Sequence, residues 1–185
     1  MWRFASGFVR YFIAGDPNFD PRKFRPEEFK AQVQRISALM DATDPDLSRF
    51  AARGGKLILK VNMADHAISP FNGIAYYKSV VEKLGQANVD SFMRFYVAPG
   101  ANHGGMGTSS VDGAALPQGV DLLDAIDSWA DRGVAPDALV QVEQEINPPF
   151  VVTASRPMCR YPQWPRYTGG SPKDAASFSC VSEND

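Results

Sequence analysis

No Gly-x-Ser-x-Gly pentapeptide occurs in the 185 residues, so the chain carries no elbow of the kind that presents a nucleophilic serine at a strand-to-helix turn. Histidine is scarce as well: His66 and His103 are the only two, which leaves two positions for an imidazole base. Cysteine is limited to Cys159 and Cys180, whose spacing fits neither a CxxC redox motif nor a zinc ligand set. No apolar run approaches the roughly 20 residues that a membrane span needs. Neither sign of charge dominates. With 19 basic and 21 acidic residues, the formal charge of −2 gives no electrostatic reason to expect nucleic acid or an anionic membrane as partner. Internal repeats and low-complexity tracts are absent. The stretch from Trp2 to Ala14 is apolar and basic, but Arg10 interrupts any hydrophobic region and no clean cleavage site follows, so it does not read as a signal peptide.

What remains is a sequence with 44% hydrophobic residues, enough to bury a sizeable core, and the length of one domain. Met1 to Phe24 shows aromatic residues without clean periodicity, followed by the turn formers Gly15-Asp16-Pro17-Asn18. Pro26-Glu27-Glu28 opens an expected helix with Phe29, Val33, Ile36 and Met40 at steps of three or four, and a short helical turn around Leu47 and Phe50 follows. The chain then organises itself around two strand–loop–helix units between Gly55 and Trp129. In the first, Leu57, Ile58, Leu59 and Val61 form the near-continuous apolar run of a parallel strand buried on both faces, and Ser69-Pro70 supplies an N-cap and a first-turn proline. Ile74, Tyr77, Val81 and Leu84 line its helix up to a stop at Gly85. In the second, a strand over 92–97 leads through a glycine-rich loop to a helix with Val120, Leu123, Ile126, Trp129 and Ala130 inward and Gly133 as its stop. Two strands at 139–143 and 150–154 follow, joined by a turn at Asn147-Pro148-Pro149. The 14 prolines and 15 glycines are unevenly spread, with a concentration after Asn147, which reads as an irregular C-terminal wrap.

Each of the two loops carries one ionisable residue, Asp65 in the first and His103 in the second. In an open α/β sheet the loops at the carboxyl ends of parallel strands bear the chemistry, so an acid and a histidine placed this way form a site candidate. A lone loop histidine is otherwise solvated or structural. As a pair, Asp65 would fix the tautomer of the imidazole and stabilise its protonated form, while His103 would take a proton from a hydroxyl and return it to a leaving group. An unperturbed pKa of about 6.5 suits histidine to both directions of transfer. His66, an immediate neighbour of Asp65, points elsewhere by adjacency, and no HxxxH or HxxE spacing supports a zinc site from Asp65, His66 and His103. The stretch from Gly107 to Gly113 follows the histidine and reads as a surface loop rather than a nucleophile elbow.

Two βα units do not complete a doubly wound sheet, so the remaining strands are expected from an N-terminal half outside this chain; the alternative, a small independent α/β domain, leaves Met1 to Pro21 without an obvious packing partner. Cys159 and Cys180 are either two buried thiols or a disulfide; a bridge would contribute on the order of 3 kcal/mol to the tail and imply an oxidising compartment.

The combination Gly54-Gly55-Lys56-Leu57-Ile58-Leu59, Ala64-Asp65-His66-Ala67-Ile68-Ser69-Pro70, Tyr76-Tyr77, Ala98-Pro99-Gly100-Ala101-Asn102-His103, Trp129 with Gly133-Val134-Ala135-Pro136, and Ser155 to Pro162 with Phe178-Ser179-Cys180 resembles the C-terminal part of the tannase and feruloyl esterase family of α/β-hydrolases. The resemblance implies an α/β fold, the last two βα units of a hydrolase sheet closed by a Pro/Gly-rich, disulfide-tied tail. It implies residues 1–45 as the end of a lid domain and residues 46–185 as the C-terminal part of the catalytic domain. By it, Asp65 and His103 are acid and base of a serine esterase triad acting on esters of aromatic acids such as hydroxycinnamate or gallate, and Cys159 and Cys180 match a family disulfide. Its calcium site would precede Met1, so no metal or cofactor is expected in this chain, and secretion or a periplasmic location would follow from a signal upstream. Two departures stand out. Family members usually carry His-Gly-Trp or similar where this chain has Val61-Asn62-Met63, and many carry a cysteine where it has Gly104. The other reading is a non-catalytic or degenerate relic of the scaffold.

Overall fold

A computed structural model describes residues 2–110 and 113–183, and divides the chain into two compact units, Met1–Asp44 and Pro45–Asp185. In the first unit, helix α1 (Trp2–Phe8) runs into a π-helical turn over Val9–Ala14, ended by Gly15 in the left-handed region at φ 65°. This stretch was expected to be irregular. Phe4, Phe8, Tyr11 and Phe12 recur at helical spacing but are exposed, whereas Val9 and Ile13, one turn apart, are buried. Pro26-Glu27-Glu28 forms a turn, and helix α2 (Lys30–Met40) begins after it, with Ile36 buried and Met40 exposed.

The second unit is built on a parallel pair of strands. β1 (Leu57–Asn62) follows the short helix α3 (Ser48–Ala52) and pairs with β2 (Met93–Ala98) in the register Leu57↔Met93 through Asn62↔Ala98. Between them lie α4 (Pro70–Leu84) and α5 (Gln86–Phe92). Pro70 opens α4 as expected, but the Ser69 hydroxyl makes no capping bond. Gly85, at φ 81°, ends α4 and at once accepts the first bond of α5 from Val89 N–H, so a residue expected to stop one helix also starts another. The second strand therefore begins at Met93, one residue later than expected.

Alternating side chains of β2 face two different layers. Met93 and Phe95 join Tyr77, Val80, Val89 and Phe92 in one core, against α4 and α5. Tyr96 and Ala98 join Ala101 and Met158 in the other, and the Arg94 guanidinium lies 4.7 Å from the ring centroid of Trp129. β2 is thus buried on both faces, and its second edge is covered by the Tyr96–Arg160 bridge and the Tyr161 N–H, whereas β1 is half-buried along all six residues. Gly73 of α4 sits against β1 so closely that a Cβ there would lie 2.5 Å from Val61 Cγ1.

Helix α6 (Leu122–Arg132) is capped by Asp121, whose carboxylate accepts from Asp124 N–H, and ended by Gly133 at φ 71°. Its inward face is set by Leu122, Ile126 and Trp129, not by the expected Leu123 and Ala130, which are exposed; the apolar stripe starts one residue earlier. β3 (Leu139–Gln144) and β4 (Val152–Met158) form an antiparallel ribbon across the expected turn at 147–149, with β4 starting two residues later and running further than sequence indicated. The tail is not irregular. β5 (Trp164–Tyr167) and β6 (Phe178–Val181) pair antiparallel, and Cys159 and Cys180 form a disulfide with Cα atoms 5.6 Å apart. Tyr161 anchors this tail: its N–H donates to the Phe95 carbonyl at 2.8 Å, and its ring lies 5.3 Å from Phe95 and 5.8 Å from Tyr77. No helix among the described residues is long and apolar enough to cross a membrane.

Candidate active site

Because β1 and β2 are parallel and end opposite one another at Asn62 and Ala98, the loops that follow them leave the same edge of the sheet. The two loops are joined by backbone bonds, Met63 N–H to the Ala98 carbonyl at 2.9 Å and Ala64 N–H to the Ala101 carbonyl at 3.0 Å. That framework places the two singled-out side chains in contact: His103 Nδ1 lies 2.9 Å from Asp65 Oδ2.

The carboxylate is held from both ends. Asp65 Oδ1 accepts from the backbone N–H groups of Ala67 at 2.8 Å and Ile68 at 2.9 Å, leaving Oδ2 for the imidazole. The Ile68 amide foremost, together with the His103 and Ala67 hydrogen bonds, holds the Asp65 carboxyl down at about 2. It is ionised throughout the physiological range, and an ionised carboxylate only accepts, so the neutral His103 ring carries its proton on Nδ1 and presents Nε2 as the free base. The Asp65 side chain is 13% exposed and that of His103 52%, so the acid is sheltered while the base remains open to an approaching group.

Glycine makes the histidine loop feasible at one close approach: a Cβ on Gly107 would lie 2.3 Å from the Gly100 carbonyl oxygen, and Gly100 itself is left-handed at φ 79°. Gly104 is different. A Cβ there would meet Asn102 Oδ1 at 3.5 Å and Met106 Cε at 3.7 Å, ordinary contact distances. His66 is exposed and lies outside the Asp65–His103 hydrogen bond. Among the described residues no group of three or more His, Cys, Asp or Glu side chains gathers as a metal site requires. Of the loop from Gly107 to Gly113, Val111 and Asp112 lie outside the described residues; Thr108 pairs with Ala115 as a single antiparallel bridge.

Sequence reasoning passed over three polar residues that hold the loops. Lys60 Nζ donates to Asn62 Oδ1 at 2.8 Å, Asn62 Nδ2 donates to the Asn102 carbonyl at 2.8 Å, and Asn102 Oδ1 accepts from Gly104 and Met106 N–H at 2.9 and 3.0 Å. The available signal was the strand period: Lys60 and Asn62, two apart at the carboxyl end of an otherwise apolar strand, project to one face.

A scan against family models matches the description "Tannase and feruloyl esterase" over residues 3–181. The chain belongs to the tannase and feruloyl esterase family. An esterase of Agrobacterium fabrum, described as uncharacterized, is 35% identical over 182 residues, 95% of this chain and 31% of that protein. A probable feruloyl esterase of Arthroderma benhamiae is 31% identical over 97% of this chain and 33% of its own length. The crystal structure of feruloyl esterase B from Aspergillus oryzae superposes with a TM-score of 0.77 at 26% identity, covering 95% of this chain and 36% of that one. The chain thus spans about a third of the length of the relatives it matches.

Proposed function

We propose that the chain supplies the acid and the base of a serine esterase whose nucleophile lies outside these 185 residues. The observation that carries this reading is the 2.9 Å contact between His103 Nδ1 and Asp65 Oδ2 at the carboxyl edge of a parallel strand pair. In the reaction, a serine hydroxyl attacks the ester carbonyl carbon while His103 Nε2 takes its proton. The tetrahedral intermediate then expels the alcohol, which leaves with that proton, and an acyl-serine remains. Water attacks the acyl carbon, again giving its proton to His103, and the serine departs with it as the carboxylic acid is released. Asp65 keeps the imidazole in the Nδ1–H form and stabilises the imidazolium formed in each step.

Esters of aromatic acids, hydroxycinnamic or gallic, are the proposed substrates, in line with relatives described as feruloyl esterases. Residues 1–45 are read as the end of a lid over the acyl pocket. The unpaired edge of β1 is read as the place where the rest of the sheet, bearing the serine, continues. The Cys159–Cys180 disulfide supports an oxidising, secreted or periplasmic setting.

The test uses methyl ferulate and methyl gallate. The isolated chain is expected to give no turnover above background, and turnover by it alone that His103→Ala abolishes would overturn the placement of the nucleophile. Joined to the part of Aspergillus oryzae feruloyl esterase B that precedes the matching segment, it is expected to hydrolyse these esters and to lose that activity on His103→Ala or Asp65→Ala. Activity of the joined protein that survives both substitutions would refute the roles given to the pair.

A further inference from the structure

We infer that Asn62 is a positioning residue for His103, acting through the peptide unit between Asn102 and His103, with Lys60 setting the orientation of its amide. The inference rests on the esterase reading above and concerns the same imidazole.

The geometry is explicit. The Asn102 carbonyl belongs to the same planar peptide unit as the His103 nitrogen, so a bond that fixes this carbonyl fixes the plane from which the His103 side chain departs. Asn62 Nδ2 makes that bond at 2.8 Å, across a sequence distance of forty residues. Its amide can present either oxygen or nitrogen to a given neighbour, and its two partners select the same orientation, the Asn102 carbonyl because it only accepts and Lys60 because it only donates. An ammonium only donates, so Lys60 Nζ, 2.8 Å away, holds the amide oxygen and turns the nitrogen toward Asn102. Lys60 and Asn62 are both half-buried, which shelters the bonds from competing water. On the far side of the same residue, Asn102 Oδ1 gathers the N–H groups of Gly104 and Met106, so the turn that carries His103 is fixed before and after the ring.

No covalent tie performs this task. The chain's two cysteines are bonded to each other in the tail, and position 104, beside the imidazole, is glycine. Besides Asp65 itself, Asn62 is the side chain whose hydrogen bond links the acid-bearing strand end to the histidine loop among the described residues. A hydrogen bond that merely stabilised the fold would leave the ring's proton where it is, whereas a positioning bond governs whether Nδ1 stays within reach of Asp65.

The experiment reads the tautomer of His103 in the ¹⁵N-labelled 185-residue chain at a pH where the imidazole is neutral. The wild-type ring is expected in the Nδ1–H form. In Asn62→Asp, which keeps the size of the side chain and a partner for Lys60 but removes the donor to Asn102, that form is expected to be lost in favour of Nε2–H while the amide spectrum remains that of a folded protein. Lys60→Met is expected to shift the ring in the same direction, and Lys60→Arg, which still donates, to keep it unchanged. An Nδ1–H ring retained in Asn62→Asp would overturn the inference; should that variant not fold, Asn62→Ser decides by the same readout. A wild-type ring already in the Nε2–H form would instead refute the Asp65–His103 pairing itself, so the two failures are distinguishable.

Discussion

Gly107 approaches Gly100 so closely that a methyl group on its Cα would lie 2.3 Å from the Gly100 carbonyl oxygen, with backbone on both sides of the contact. No side chain can rotate away to relieve it. We expect Gly107→Ala to destabilise the second unit by about 1–3 kcal/mol and to displace the histidine loop, because overpacking against backbone must move backbone. Thermal unfolding measures the cost, and faster hydrogen exchange of the Asn102 amide, which donates to the Met106 carbonyl at 2.8 Å, locates it. Gly104→Ala, by contrast, is expected to leave both nearly unchanged, since its Cβ would find ordinary contact distances.

Asp65 is expected to titrate near 2 in a carbon-detected NMR titration of the folded chain, below the ordinary carboxylate value of 3.8. The sign of the linked stability follows from proton binding. Between about 4 and 2 the unfolded carboxyl holds more proton than the folded one, so the contribution of Asp65 is complete above the unfolded value and fades as the pH falls through about 2. Asp65→Asn should flatten that part of the curve of melting temperature against pH.

Tyr96 offers a counterpart at the alkaline end. Burial above all pushes its phenol up to about 12, and its hydroxyl donates to the Pro136 carbonyl at 3.0 Å. The folded state therefore keeps the phenolic proton between about 10 and 12 while the unfolded state gives it up, so stability falls as the pH rises through this interval. Ultraviolet difference absorption should show one tyrosine ionising last, and Tyr96→Phe should remove that step.

Replacing Cys159 and Cys180 together by serine is expected to lower stability by about 3 kcal/mol. Hydrogen exchange should place the effect in the β5–β6 hairpin first, since Tyr161 still holds the start of the tail through its bond to Phe95 and its ring contacts. Uniform loosening of β1 and β2 to the same degree would contradict this order.

The paired βα units were legible because their signals are local and agree: an apolar strand run, Pro70 at a helix start, glycine at the stops. Two neighbouring parallel strands then dictate that their loops share an edge, which is why Asp65 and His103 could be matched from the sequence. Helix α5 was not legible, since Gly85 reads as an ending and its role as the cap of a second helix depends on a φ of 81°. The face of α6 was misjudged by one residue because Leu122 and Leu123 are chemically alike and only packing separates them. In the tail, proline and glycine suggested irregularity, yet the β5–β6 pairing is a long-range choice made together with the disulfide. Lys60, Asn62 and Asn102 escaped for a related reason: each is an ordinary polar residue in sequence, and their meaning lies in hydrogen bonds between strand end and loop.

The room beside Gly104 has a practical side. A thiol introduced there by Gly104→Cys would face ordinary contacts and stand next to an imidazole that is half open to solvent. With its own cysteines already bonded to each other, the chain would offer a single attachment point for a fluorophore or a photo-crosslinker. Such a label would report, residue by residue, on whatever surface comes to rest against His103.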